Sequence, residues 1–126
     1  MANECCAPGL EWMILSCSGG SNVGQISNRV AVELTQEGLG KMFCLAGIGG
    51  EISGIVQSTR DCAQILIIDG CPLGCGQKAL DRLGISHYRA LVLTELGIEK
   101  NKDFQLTEHE VRTVSEAARK IIVQPG

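Results

Sequence analysis

The feature that most constrains this chain is Gln64-Ile65-Leu66-Ile67-Ile68, an aliphatic run closed by Asp69-Gly70. A strand with one wet face alternates apolar and polar residues. A strand this uniformly apolar has both faces covered, and its β-branched residues favour the extended chain. Cover on both faces calls for helices, and the sequence supplies them. Trp12-Met13-Ile14-Leu15 is a second such run, entering Ser16-Cys17-Ser18-Gly19-Gly20. Val23, Ile26, Val30 and Leu34 follow at helical spacing, with Ser21 or Asn22 as N-cap and Gly38 as stop. Residues 41–45 read as a further strand, 46–50 as a glycine-rich turn and 52–60 as a short helix. Beyond the central run, a helix is predicted over 74–83, ended by Gly84, and a fourth strand over 89–94. Thr107 and Glu110 have the spacing of a capping box, ahead of a helix with Val111, Val114, Ala118, Ile121 and Ile122 on one face.

Strand and helix alternate four times. That pattern predicts the α/β class: a small three-layer sandwich with a four-stranded, mainly parallel sheet of flavodoxin or Rossmann type and helices on both faces. The flavodoxin-like order 2-1-3-4 is the expected arrangement. The 126 residues suit a single domain, since one core typically serves about 100–150 residues. Residues 1–10, broken by Pro8-Gly9, read as an N-terminal arm.

Charge and composition narrow the function. A net charge of −3 is opposite to the basic footprint of a nucleic-acid module. One Trp, one Tyr and two Phe are few for stacking on bases or sugars. No apolar run approaches the roughly 20 residues that span a bilayer, so no membrane association is expected. Glu4 and Glu11 stand where a secretory signal would carry basic residues, so a cytoplasmic location is expected. In that compartment seven cysteines point to metal or redox chemistry rather than to disulfides.

The topology gathers four of them. Parallel strands end on one edge of the sheet, and ligands of open α/β folds bind outside that edge. Cys17 ends the first strand, Cys44 lies near the end of the second, Cys71 follows the third, and Cys75 opens the next helix. Neighbouring strands are about 4.8 Å apart, so thiols on three of them can share an ion. Zinc takes four thiolates in a tetrahedron, and a helix N-terminus favours a nearby thiolate, a position open to Cys75 and Cys17. The competing reading is that these cysteines are buried small hydrophobes. That reading is preferred for Cys62, which precedes the third strand at the opposite edge. Cys5 and Cys6 lie in the arm and are expected as exposed reactive thiols.

Other motifs match incompletely. Residues 19–26 have the glycine spacing of a P-loop, but Gln25 and Ile26 replace its Lys and Ser/Thr. A tight turn that needs glycine for packing is the expected alternative. The Cys-x5-Arg loop of cysteine phosphatases and arsenate reductases fails because Val23 stands at the Arg position, leaving no clamp for an oxyanion. Asp69 can accept a hydrogen bond from an amide of the ligand loop, act as a general base, or close its own turn, the last being preferred. Glu95 shares that edge and reads as a solvated charge. His87 lies at the far edge and is excluded as a ligand; His109 reads as a surface residue.

Ile68-Asp69-Gly70-Cys71-Pro72-x-x-Cys75, with Cys17-Ser18-Gly19-Gly20 and Cys44-Leu45-Ala46-Gly47-Ile48-Gly49 upstream, resembles the DGC-domain family. That family is named for its central Asp-Gly-Cys and is credited with zinc binding through four chelating cysteines. The resemblance covers about residues 11–122 and implies Cys17, Cys44, Cys71 and Cys75 as the ligands. It implies a metal and no reaction. The expected function is therefore binding of zinc or another soft metal for sensing, storage or delivery, with the metal ion as partner. The alternative is a thiol-redox or iron–sulfur protein using Cys71, Cys75 and Cys17. A closed four-thiolate zinc leaves no open position for hydrolysis, and the dense cysteine spacings common for iron–sulfur clusters are absent.

Overall fold

Ile65, Leu66, Ile67 and Ile68 form β3 (Ile65–Asp69), and every residue of that strand is buried. The computed structural model describes residues 12–123; the arm, with Cys5 and Cys6, lies outside the described residues. β1 (Met13–Ser16) pairs with β3 on one side and with β2 (Lys41–Met42) on the other, while β3 also pairs with β4 (Tyr88–Val92). All three pairings are parallel, and the order β2-β1-β3-β4 is the expected one. The register sets Leu15 opposite Ile67, and Ile67 opposite Ala90.

Successive residues of β1 and β3 feed two different cores, because side chains alternate across a strand. Ile14, Leu66 and Ile68 pack beneath α1 (Asn22–Gln36) and α5 (Glu108–Val123), against Ile26, Val30, Leu34, Val114 and Ala118. Met13, Leu15, Ile65 and Ile67 pack on the opposite face, against Ile48, Leu80 and Ile85. That face is covered by α2 (Leu45–Gly49), α3 (Ser53–Asp61) and α4 (Cys75–Arg82). The result is three layers, with β1 and β3 sealed at the centre. Among the described residues no helix is long and apolar enough to cross a membrane.

Three local expectations are corrected. The strand expected over 41–45 is only Lys41–Met42, and the expected glycine-rich turn is the helix α2. Phe43 still donates its N–H to the Ile14 carbonyl, at 2.9 Å. Cys44 then turns the chain as N-cap of α2, its Sγ accepting the Gly47 N–H at 3.4 Å. A Cβ at Gly47 would stand 2.4 Å from Ile55 Cδ1, so the missing side chain lets α3 press on α2. Packing there outweighs the poor helix propensity of glycine. The fourth strand ends at Val92 instead of residue 94, because residues Leu93–Leu96 wind into a turn of 3-10 helix, stopped by Gly97. Elsewhere the expected helices form within a residue or two of their expected bounds. Ser21 is the N-cap of α1, accepting the Gly24 N–H at 3.1 Å, and the Thr107 hydroxyl accepts the Glu110 N–H at the start of α5.

The end of β3 is tied to α4 by one buried carboxylate. Asp69 is 1% exposed. Its Oδ1 accepts the Gly76 N–H at 2.8 Å, and its Oδ2 accepts the Gln77 N–H at 3.1 Å and Gln77 Nε2 at 3.2 Å. A negative group at the first turn of a helix satisfies N–H donors that have no partner within the helix and complements its dipole. Gly76 is required by this contact. A Cβ there would lie 2.3 Å from Ile67 Cδ1 and 2.9 Å from Asp69 Oδ1.

On the other face, two Arg–Glu pairs stitch α1 to α5. Arg29 reaches both carboxylate oxygens of Glu108, at 2.9 and 2.7 Å, and Arg119 Nε lies 2.9 Å from Glu37 Oε1. The hydrogen bond from Arg119 holds the Glu37 carboxyl below its ordinary value of 4.5.

Two outcomes are expected. Asp69→Ala leaves buried N–H donors without an acceptor and removes charge-assisted bonds, which costs about 2–3 kcal/mol; urea unfolding should show a lowered midpoint. The Glu37 carboxyl titrates below its unfolded value, so its pairing stabilises the fold above that value and is lost as pH falls through the folded one. Wild type should melt above Arg119→Gln at neutral pH, by the small margin of a partly exposed pair. The two melting temperatures should converge as pH drops below 4.5.

Candidate functional site

Three elements and the loops that follow them meet at the carboxyl edge of the sheet. Beside β1, β2, α2 and α4 lies a cleft of about 810 Å³ lined by Cys17, Cys44 and Cys75. Cys17 is the first residue past β1, and its N–H extends the ladder by donating to the Ile68 carbonyl at 2.9 Å. It is half-buried, and a Cβ at Gly19 would stand 3.3 Å from its Sγ. Cys44 is exposed and keeps its capping bond from Gly47. Cys75 is exposed at the first position of α4, where the bonds from Gly76 and Gln77 to Asp69 hold the helix start. The rest of the lining is apolar or small: Met42, Phe43, Leu45, Ala46 and Ala79 among others, with no charged side chain among the described residues.

Cys71 stands apart. It is half-buried against the core layer beneath α1 and α5, and Lys100 Nζ donates to its Sγ at 3.4 Å. It does not line the cleft. All four of these cysteines carry free thiols. Among the described residues, no three His, Cys, Asp or Glu side chains are gathered closely enough to hold a metal ion. The topology thus brings Cys17, Cys44 and Cys75 to one cleft and sets Cys71 on its flank. The donor set is that of a soft ion such as zinc.

The other candidate residues separate clearly. Asp69 has both oxygens committed to Gly76 and Gln77 in the first turn of α4, so it caps that helix instead of closing its own turn in the expected Asx fashion. Glu95 and His109 are exposed. His87 lies at the amino edge with its Nε2 2.7 Å from the Cys62 carbonyl, and Cys62 is a buried member of the α2–α4 core. The glycine-rich loop before α1 is closed by protein groups. Gln25, at the P-loop lysine position, donates to the Ser18 and Gly19 carbonyls, and Asn22 N–H donates to Asn101 O. Gly24 serves packing there, since a Cβ would stand 2.7 Å from the Gly19 carbonyl oxygen.

Two participants escaped the reading of the residues. Lys100 is 29 positions from Cys71 in sequence, and nothing local pairs them. Ser16 borders the cleft and is 4% exposed, and its hydroxyl, on the face of β1 that carries Ile14, has no hydrogen-bond partner. Its only signal is a polar residue ending an apolar run.

Comparison with known proteins identifies the family. The anaerobic and virulence modulator AnvM of Pseudomonas aeruginosa strain PAO1 is 39% identical over 88 residues, covering 70% of this chain and 67% of that protein. No solved structure matches. The DGC domain family model matches residues 13–118, a span that holds β1 through most of α5 and all four cysteines of the carboxyl edge; the chain belongs to the DGC domain family.

Proposed function

We propose that this chain binds a soft metal ion, zinc foremost, through thiolates at the carboxyl edge of its sheet. Cys17, Cys44 and Cys75 supply donors from the cleft, and Cys71 adds a fourth from the adjoining loop. The observation that carries the reading is that three thiols from three separate chain segments line one cleft. A thiolate set would hold the ion as a Lewis acid with little room for water. Occupancy then requires the loop bearing Cys71 to leave Lys100 and the sulfurs to draw together. Metal binding that is coupled to such closure suits sensing or delivery better than a permanent structural role. The two apolar cores seal the sheet without help from the thiols, so the fold should survive loss of the ion. The relative named as a modulator supports a regulatory use of occupancy, and a cytoplasmic setting would keep the thiols reduced.

One observation favours a second reading. The thiols are free, and those of Cys44 and Cys75 are exposed, which leaves them open to thiol–disulfide exchange with an external partner.

Anaerobic titration of the reduced protein with cobalt(II) separates the two, because thiolate-to-cobalt charge transfer reports the donors directly. One ion per chain is expected. Ser at position 17, 44, 71 or 75 should weaken binding at least about tenfold, the loss seen when even an outer partner of a metal ligand is removed. Cys62→Ser should bind as wild type does. Full affinity in both Cys17→Ser and Cys44→Ser would reject the shared site, and a reversible disulfide in mild oxidant without metal binding would favour exchange. Chelation should leave a cooperative melt in place.

A further inference from the structure

Beside the large cleft lies a smaller groove between α2 and α4, of about 250 Å³, lined by Ile48, Glu51, Lys78, Arg82 and Leu83. Cys75 and Ala79 line both hollows. The helix period accounts for this. Lys78, Ala79 and Arg82 stand three, four and seven residues past Cys75, which puts all four on one face of α4. Asp69 fixes the first turn of that helix, so Cys75 is held where the groove opens to the cleft.

The groove differs from the cleft in charge. The cleft has no charged lining among the described residues, whereas the groove has two cations and one carboxylate. Lys78 is exposed, and its ammonium has no hydrogen-bond or ion-pair partner among the described residues. Arg82 gives one N–H to Glu51 at 3.0 Å. The rest of its guanidinium fork is open to a ligand. Glu51 is kept beside it in a left-handed conformation, φ 57°, that a non-glycine residue seldom adopts. A thiol carried on a small peptide-like body has the complementary groups: carboxylates for Lys78 and Arg82, and an ammonium for Glu51.

On the exchange reading above, we infer that the groove seats a small disulfide bearing carboxylates and that Cys75 exchanges with it to form a mixed disulfide. The Cys75 thiolate attacks one sulfur of the ligand. A new S–S bond forms to Cys75, the ligand's own S–S bond breaks, and the departing thiolate carries away the electron pair and takes a proton from water. Cys75 is oxidised and the departing half is reduced, so no further oxidant enters. The captured half lies along α4, with its carboxylates on Lys78 and Arg82. Cys75 in this form is no donor for an ion, so capture also withdraws one thiol from the cleft.

Glutathione disulfide and the neutral bis(2-hydroxyethyl) disulfide are the probes, applied to the full reduced chain in chelator, with modification of Cys75 followed by peptide mass mapping. Each initial rate is divided by that of a free neutral thiol with the same disulfide, which removes intrinsic reactivity. Cys75 should prefer glutathione disulfide severalfold, the scale of two partly exposed charge pairs, and against the chain's net charge of −3. Lys78→Gln with Arg82→Gln should erase the preference and leave the rate with the neutral probe unchanged. Lys78→Gln alone should remove part of it, and added salt should shrink it. Arg112→Gln, which removes a charge on α5 instead, should leave it as in wild type. Lys78 and Arg82 are exposed, and melting identifies any variant that has not folded. A preference absent from wild type, or unchanged in the folded double variant, overturns the groove as a binding site and leaves exchange at Cys75 standing. No mixed disulfide at Cys75 with either probe overturns both.

Discussion

The bond between Asp69 and the first turn of α4 is the contact on which the carboxyl edge depends. β3 is the most deeply sealed strand, and Asp69 is its last residue. By accepting the amides of Gly76 and Gln77, the carboxylate fixes where α4 begins relative to the sheet. Cys75 is the residue immediately before those amides, so its place above the cleft follows from a contact it does not make. Gly76 permits the approach because any side chain there would strike Ile67 and the carboxylate itself. The Asp-Gly-Cys sequence thus has two mechanical parts. Asp69 anchors the helix that carries Cys75, while Gly70-Cys71 starts the loop that bridges to it.

The same edge is built differently at β2. There the chain leaves the sheet after two paired residues, and Cys44 itself closes the first turn of α2. A thiol that caps a helix is already partly engaged, with its sulfur accepting the Gly47 N–H. Drawing Cys44 toward an ion would therefore disturb α2, whose packing runs through Gly47 to Ile55 of α3. In the proposed reading, occupancy of the cleft would bear on the position of α2 and α3. That connection gives a metal-binding reading a route from the thiols to the outer face of the protein.

Much of this was legible in the sequence for identifiable reasons. The central strands announce themselves because both faces are covered and all but their last residues are apolar, and the order of strands follows from short right-handed crossovers. Topology alone then brought Cys17, Cys44 and Cys75 to one edge. What was not legible depends on contacts between distant residues. The helix α2 forms from a glycine-rich segment because Ile55 packs on it, a tertiary effect that local propensity opposes. The orientation of Cys71 toward Lys100 depends on the segment after β4, which carries no pattern of its own. The orphaned hydroxyl of Ser16 depends on what surrounds the end of β1, which periodicity does not describe.

The four cysteines therefore occupy two unlike environments, and this difference bears on how a site would assemble. Cys17, Cys44 and Cys75 face a cleft with no charged lining among the described residues, and of their sulfurs the one on Cys44 accepts an amide, that of Gly47. Cys71 already has a cation against its sulfur, so Lys100 and a metal ion would compete for the same lone pairs. Binding to three thiols in the cleft needs no such exchange; recruiting the fourth does. If an ion binds as proposed, such a graded site would separate capture from closure. The step that engages Cys71 would release Lys100, whose neighbours Glu99 and Asn101 are hydrogen-bonded to Asn22 at the start of α1. The segment joining β4 to α5 is thus the part of the structure placed to register whether the fourth thiol has moved.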